Sequence, residues 1–523
     1  MSEQRSPEKS NWLTRLREWV RPSRGDTIIA NVQDSRDVIV GKNIIKVGTL
    51  VVPAVPVFIG IVVLLIVVAT LAYLRFVPDR LDRNSFGVAV AQFGELGADQ
   101  HVITTDASQA FSRTVFVTLR DELEPLAKNL PGQLKPIIWH DSLFPLQIRR
   151  QIGVVSGADA KTRRALAKQL ANDLGAKMLI YGNLDTTQTP PMFTPEFYVE
   201  TLSGEADEAS GRYQFGAPIP VRLSSLAGTD WAQSLTLTEA MNARQKVLTQ
   251  IAIGLTYDLD GQHDKALATF QAALGAIPAE DRAGEEVVHF FIGREYLFLA
   301  NNAQVQAESL TAQGKVADAQ AAAARIEPLL VNAENEFNLA RKTNDTYARA
   351  RYGLAAVYRL RTLRQSPPDR ISQPAFLNRA LSEYQIALNS ALQDGEVEIQ
   401  IKVRVAIGTA YFLKGEAFLN RQDWQNALNA FDESIQRTEA ELPKLGDWVR
   451  SQGEAYLTLG NAYFEKGIVK EQMGDQAASQ TAYREAIKKY SECIKLRAFE
   501  KTLAEGAAAR CERYQAQVQA RLK

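Results

Sequence analysis

Five positions near the end of the chain recur at one constant displacement. Gly408, Tyr411, Ala427, Phe431 and Ser434 reappear 52 residues on as Gly460, Tyr463, Ser479, Tyr483 and Ala486. A duplicated pattern of small and aromatic residues marks a chain of stacked units, none of which can bury its apolar face alone. Small residues fall where two antiparallel helices approach most closely, and aromatic rings fill the space beside them. The same pattern appears upstream. In residues 247–280, Gly254 and Tyr257 precede the turn Asp260-Gly261-Gln262, and Ala266, Phe270, Ala273 and Pro278 follow it, the proline placed to end the second helix. Gly293 and Tyr296 pair in this sense with Ala333, Phe337 and Ala340, and Ala355 and Tyr358 with Ala380, Tyr384 and Ala387.

The 247–280 unit resembles the tetratricopeptide family, whose repeat runs to roughly 34 residues, with Gln250 standing where that pattern often has Trp. The resemblance implies an α-solenoid of about five helical hairpins over residues 236–523, with protein–protein interaction as its business and no chemistry of its own. The later units are longer. Tyr296 and Ala333 lie 37 positions apart where the first unit has nine. Shared across an antiparallel pair, that excess lengthens each helix by about 14 residues, roughly 21 Å. The hairpin tip then falls near Gln313-Gly314, and Ala317, Ala319 and Ala321 to Ala324 make the returning arm narrow and helical. In the last two units the corresponding gap is 16, which predicts about one extra turn in each helix. Residues 502–522 read as one more helix closing the stack.

A second constraint is apolar. Residues 47–74 contain no charge and are flanked by Lys46 and Arg75. About 20 apolar residues span a bilayer, so 47–74 is expected to be a single transmembrane helix, with Pro53 and Pro56 near its start where a helix tolerates them. The preceding 46 residues form a tail with nine Lys/Arg against six Asp/Glu. In it Trp12, Leu13, Leu16, Trp19 and Val20 share a face framed by Arg15, Arg17 and Arg21, which fits a short interfacial helix or a polar tail. Residues 27–48 read as a small strand pair or a linker. Basic residues balance across the span, so orientation rests on the Arg-rich tail, which is hard to translocate: N-terminus cytoplasmic, bulk outside.

Residues 85–235 change character. Phe86 to Phe93 and Leu134 to Trp139 are strand-like, and 106–128 carries apolar residues at helical spacing. Ala160 to Leu174 forms a second amphipathic helix, stopped by Gly175 before the strand 177–184. Further strands are expected at 193–202 and 213–221. Strand, helix, strand, helix, strand predicts a small α/β domain with a mostly parallel sheet. The segments FGVAVAQF and LGAKMLIYGNL resemble the start and finish of the amino-terminal α/β domain of TolB-like and FlgO-like bacterial envelope proteins. That resemblance implies a binding or assembly domain and an extracytoplasmic location.

Composition excludes some functions. Sixty basic and sixty acidic side chains cancel, which argues against nucleic acid held by bulk charge. No phosphate loop, dinucleotide fingerprint, nucleophile elbow or HExxH is present, so no catalytic, cofactor or metal residues are assigned. Glu286 and His289 have ExxH spacing without the second copy a carboxylate metal site needs. His263 lies in a turn, and His140-Asp141-Ser142 are too close in sequence for a triad. Ile251 and Leu255 are apolar where some tetratricopeptide domains grip a C-terminal carboxylate, so that clamp is not indicated. Cys493 and Cys511 stand eighteen positions apart. They read as two buried thiols, or as one disulfide if that end lies in an oxidising compartment.

The expected protein is a membrane-anchored, single-pass interaction scaffold or adaptor without enzymatic activity. Its expected partners are proteins, a second copy of the chain among them. The alternative is an α/β domain that senses a small ligand and is coupled to the helices as an oligomerisation or relay module.

Overall fold

The structure is a computed structural model that describes residues 40–41, 44–47, 50–53, 62–69, 80–81, 85–97, 101–127, 136–141, 152–157, 159–200, 209–221, 239–277, 282, 284–366, 369–372, 374–446, 448–499 and 507–522. Residues 1–77 and 78–523 form two compact units. In the first, β1 (Val40–Gly41), β2 (Ile44–Val47) and β3 (Leu50–Pro53) form an antiparallel ribbon in which Val47 lies opposite Leu50. The uncharged run therefore begins as strand: Val51 and Val52 favour extended backbone, and Pro53 is tolerated at the free edge. Residues 62–69 are helical, with Leu64, Leu65 and Ile66 about three-fifths exposed. The rest of 47–74, and the interfacial helix expected around Trp12, lie outside the described residues. Among the described residues no helix is long and apolar enough to cross a membrane.

The second unit holds a mixed sheet and the helical array. The strands are β4 (Gly87–Val90), β5 (Gly94–Leu96), β6 (Val102–Ile103), β7 (Ile137–Trp139), β8 (Met178–Asp185), β9 (Met192–Val199), β10 (Gly211–Gln214) and β11 (Ile219–Pro220). Their main order is β10-β9-β8-β4-β7. β4 runs parallel to β7 and β8, and the helices α1 (Asp106–Ala127) and α2 (Ala160–Leu174) lie between these strands in sequence. The expectation of a mostly parallel sheet is corrected on the other side of β8. There the short link from β8 returns β9 antiparallel, and β10 and β11 both run antiparallel to β9. α2 begins at the Asp159 cap, whose side chain accepts from Thr162 N, and stops at Gly175 in the left-handed region (φ 71°).

The array starts with α3 (Glu239–Leu259) and α4 (His263–Gly275). Next come α5 (Glu285–Ala312), α6 (Val316–Ala324) and α7 (Ile326–Thr343). The tip turn is Gln313-Gly314, where Gly314 has φ 75°, and Arg325 interrupts the returning arm between α6 and α7. α8 (Ala348–Arg364) and α9 (Ala375–Gln393) follow. Then come α10 (Val397–Asn420) with α11 (Trp424–Glu441), and α12 (Val449–Gln472) with α13 (Gln476–Lys495). α14 (Ala507–Leu522) packs on α13, joined to it by a Cys493–Cys511 disulfide. This corrects the reading of two thiols: the packing of α14 on α13 sets the cysteines 6.3 Å apart at Cα.

The repeat register also changes. A Cβ on Gly254 would meet the ring of Phe270 at 2.4 Å, and the residues in the same relation to Phe431 and Tyr483 are Gly415 and Gly467, again at 2.4 Å. Each aromatic follows its glycine by sixteen positions. Phe418, not Tyr411, is therefore the counterpart of Tyr257, and the last two hairpins have tips of the standard length. Their extra turns lie at the base instead, where Gly408 faces Thr438 and Gly460 faces Tyr490.

Sheet and array share one apolar core, running from Val88 and Val90 of β4 to Val403 and Ile407 of α10. Stacked rings carry it across the junction: Phe197 on Tyr213 at 4.7 Å, Tyr213 against Phe291 at 5.4 Å, and Phe291 against Phe270 at 5.1 Å. Ion pairs reinforce the same junction. Arg349 of α8, 1% exposed, donates to Tyr213 Oη (3.0 Å) and the Ser210 carbonyl (3.1 Å) and lies 3.8 Å from Glu396. Arg164 of α2 pairs with Glu398 of α10, while within the sheet layer Glu196 of β9 accepts from Arg163 (2.8 Å) and Arg212. Such pairs must be complete, because a buried charge without its partner is costly.

Candidate functional site

The first helices of successive hairpins line a cavity of about 240 Å³. α5 contributes Arg294 and Phe298, α8 Tyr352 and Arg359, α10 Lys402, and α12 Arg450 and Glu454; Arg510 closes it from α14. Five cationic side chains thus face one carboxylate. Aromatic faces hold several of the cations in place: Arg294 and Arg450 lie 4.5 and 4.4 Å from the Phe298 ring centre, and Lys402 lies 4.9 Å from that of Trp448. Burial pushes the Glu454 carboxyl up, but Arg510, Arg450 and Arg359 outweigh it and hold the group below its ordinary range. Glu454 accepts from Arg510. A surface of this kind attracts carboxylates and accommodates apolar side chains between them.

Behind Arg294 lies a buried ionic group. Arg294 Nη1 donates to Asp258 Oδ2 and Glu295 Oε1, both at 2.8 Å. His263 Nδ1 is 2.8 Å from Glu295 Oε2 and 3.5 Å from Asp258 Oδ1, and its ring stacks on Phe298 at 4.9 Å. Burial pushes Asp258 up to about 7, against the pull of Arg294. Burial lowers His263, but its bond to Glu295 and the charges of Glu295 and Asp258 leave it raised. Asp258, His263 and Glu295 are the residues placed to hold a metal ion among the described residues. The other histidines are engaged elsewhere. His289 meets Glu336 at 2.6 Å, across the hairpin from Glu286. His140 faces Ser112 Oγ at 3.1 Å, and burial holds it down to about 4. The Asp141 carboxylate turns away to accept from Gln92 Nε2 and the Gly153 amide.

The tetratricopeptide repeat model matches residues 460–488. No curated protein matches the chain. The crystal structure of yeast Tom70 is similar at 14% identity, over 79% of this chain and 82% of that one, with a TM-score of 0.14. At that score the likeness carries no argument about the array.

The matched tetratricopeptide segment covers the second half of α12 and most of α13. In it Tyr483 and Ala486 are buried, Ser479 is 1% exposed, and Tyr463 is half-buried with its hydroxyl donating to Glu439 (3.2 Å). The other sequence-assigned packing positions fall as follows. Ala266, Phe270, Ala273, Ala333, Phe337, Ala340, Ala355, Tyr358, Ala380, Tyr384, Ala387, Ala427 and Phe431 are buried, and Tyr257, Tyr296 and Tyr411 are half-buried. Gly293 sits against the Phe337 ring, and Pro278 lies outside the described residues. Only Phe337 and Tyr384 of this set also line the cavity. Ile251 and Leu255, where a clamp was sought, are fully buried. The cations Arg359, Lys402, Arg450 and Arg510 were missed because each sits one or more hairpins away. A signal existed: Lys402 and Glu454 occupy one position of the 52-residue repeat, so the repeat varies its charge where it keeps its packing.

Proposed function

We propose that the helical array docks a protein partner, which lays an acidic segment into the cavity lined by α5, α8, α10, α12 and α14. The observation that carries this reading is the gathering of Arg359, Lys402, Arg450 and Arg510 around the one lining carboxylate, Glu454, and among aromatic rings, with Arg294 already met by Asp258 and Glu295. The tetratricopeptide match at 460–488 supports a scaffold or adaptor role for the hairpins. The test is fluorescence anisotropy with labelled acidic, neutral and basic peptides of equal length. Acidic peptides should bind preferentially and weaken as salt rises, because the attraction is screened over about 10 Å at 0.1 M. Arg359→Glu with Lys402→Glu should weaken binding at least roughly tenfold, the scale of one lost charge-assisted contact. Equal binding by the reversed variant overturns the reading.

The same proposal tethers the array to a membrane through 47–74, with the N-terminus cytoplasmic and residues 78–523 outside. With Leu50–Pro53 as strand, residues 54–74 still supply about 20 apolar positions, enough for one crossing. The Cys493–Cys511 disulfide supports an oxidising compartment for the C-terminal end. A C-terminal alkaline phosphatase fusion should be active and a C-terminal green fluorescent fusion dark; the reverse pattern overturns the orientation, and a chain recovered wholly in the soluble fraction overturns the anchor.

A further inference from the structure

We propose that Asp258, His263 and Glu295 form a buried site for one divalent transition-metal ion of the zinc class, which clips the first helical hairpin to the second. The three residues come from the end of α3, the start of α4 and the middle of α5, so an ion between them adds a bond among all three elements to the pairs Arg294–Asp258 and His263–Glu295. A tetrahedral zinc site with bonds of about 2.0–2.1 Å sets its ligand atoms about 3.3 Å apart. Here His263 Nδ1 lies 2.8 Å from Glu295 Oε2 and 3.5 Å from Asp258 Oδ1, and all three donor atoms fall within 4.8 Å of one another. The other oxygen of each carboxylate is held by Arg294 Nη1 at 2.8 Å, which orients the ligands as outer hydrogen bonds do in metal centres. Stacking on Phe298 fixes the imidazole plane.

One nitrogen and two oxygens suit zinc or its neighbours, whereas calcium and magnesium want six or more oxygens. Asp258 and Glu295 are 1% exposed or less, so the ion sits away from bulk solvent, with the fourth position of a tetrahedral ion left to a water. On binding, the N–H bond at His263 Nδ1 breaks, its electron pair goes to the metal and the proton leaves to solvent. No redox change is involved.

The experiment is calorimetric titration of the tag-free, chelator-treated full chain with Zn²⁺ and Co²⁺. The expected result is one ion per chain, a raised melting temperature and an intense visible Co²⁺ absorption band. His263→Gln should lose the ion, and His289→Gln, whose imidazole pairs with Glu336, should keep it. Absence of one-to-one binding in the wild type, or binding that persists in His263→Gln, overturns the site. Should His263→Gln fail to fold, the wild-type Co²⁺ spectrum decides, because an ion held by surface carboxylates is six-coordinate and lacks the intense visible band of a tetrahedral site.

Discussion

Gly415→Ala tests the register that the fold assigns to the last hairpins. A methyl group at this position would lie 2.4 Å from Cε1 and 2.5 Å from Cδ1 of Phe431, where comfortable carbon contacts are about 3.5–4.0 Å. The ring would have to retreat by about 1 Å, yet Phe431 is fully buried between α10, α11 and α12 and has no room to give. Overpacking of this kind costs about 1–3 kcal/mol, and the better helix propensity of alanine returns about 1 kcal/mol. The net expectation is a loss of up to about 2 kcal/mol, read as a lower urea midpoint at unchanged slope. Gly275→Ala is the control. It closes α4, and nothing lies within 4 Å of its Cβ position, so the same substitution should be neutral or stabilising there. Phe431→Leu introduced on top of Gly415→Ala should cost less than it does alone, because the shortened side chain relieves the clash. If Gly415→Ala is as stable as Gly275→Ala, the ring does not sit on Gly415 and the Gly408-based register stands.

Arg349→Met strips the sheet-to-array junction of its buried cation and leaves Glu396 and the Ser210 carbonyl without it. The expected loss is about 3–5 kcal/mol in urea unfolding, and a loss under about 1 kcal/mol would refute the reading of this network. Burial, with Glu416 nearby, pushes Glu465 up to about 7. A carboxyl with a raised folded pKa favours the folded state at low pH, and that contribution is lost as pH rises from about 4.5 through about 7. Glu465→Gln should therefore match the wild type near pH 4.5 and exceed its stability at pH 8 by about 1–2 kcal/mol, a figure discounted for partial exposure; parallel pH profiles would count against this. Reducing the Cys493–Cys511 disulfide, which closes a loop of sequence separation 18, should lower stability by about 3 kcal/mol. Hydrogen exchange should then speed up in residues 507–522 first, and uniform exchange across the array would contradict that local anchoring.

Much of the array is written in local pattern. Glycine, alanine and aromatic spacings place the hairpins and the tip at Gln313-Gly314, because helix periodicity ties each residue to neighbours three and four positions away. Helix α2 is equally local: the Asp159 cap and Gly175 stop mark both ends. What sequence pattern could not decide is which of two glycines seven residues apart receives a ring. Gly408 and Gly415 present nearly the same helix face, and only the packed partner distinguishes them. The direction of β9 likewise depended on the length of its connection, and the Cys493–Cys511 pairing on the packing of α14 against α13. The cationic cavity and the Asp258–His263–Glu295 group are tertiary in origin. Their residues come from different hairpins, and a charge facing a shared interior differs from a charge facing water only once the helices have stacked.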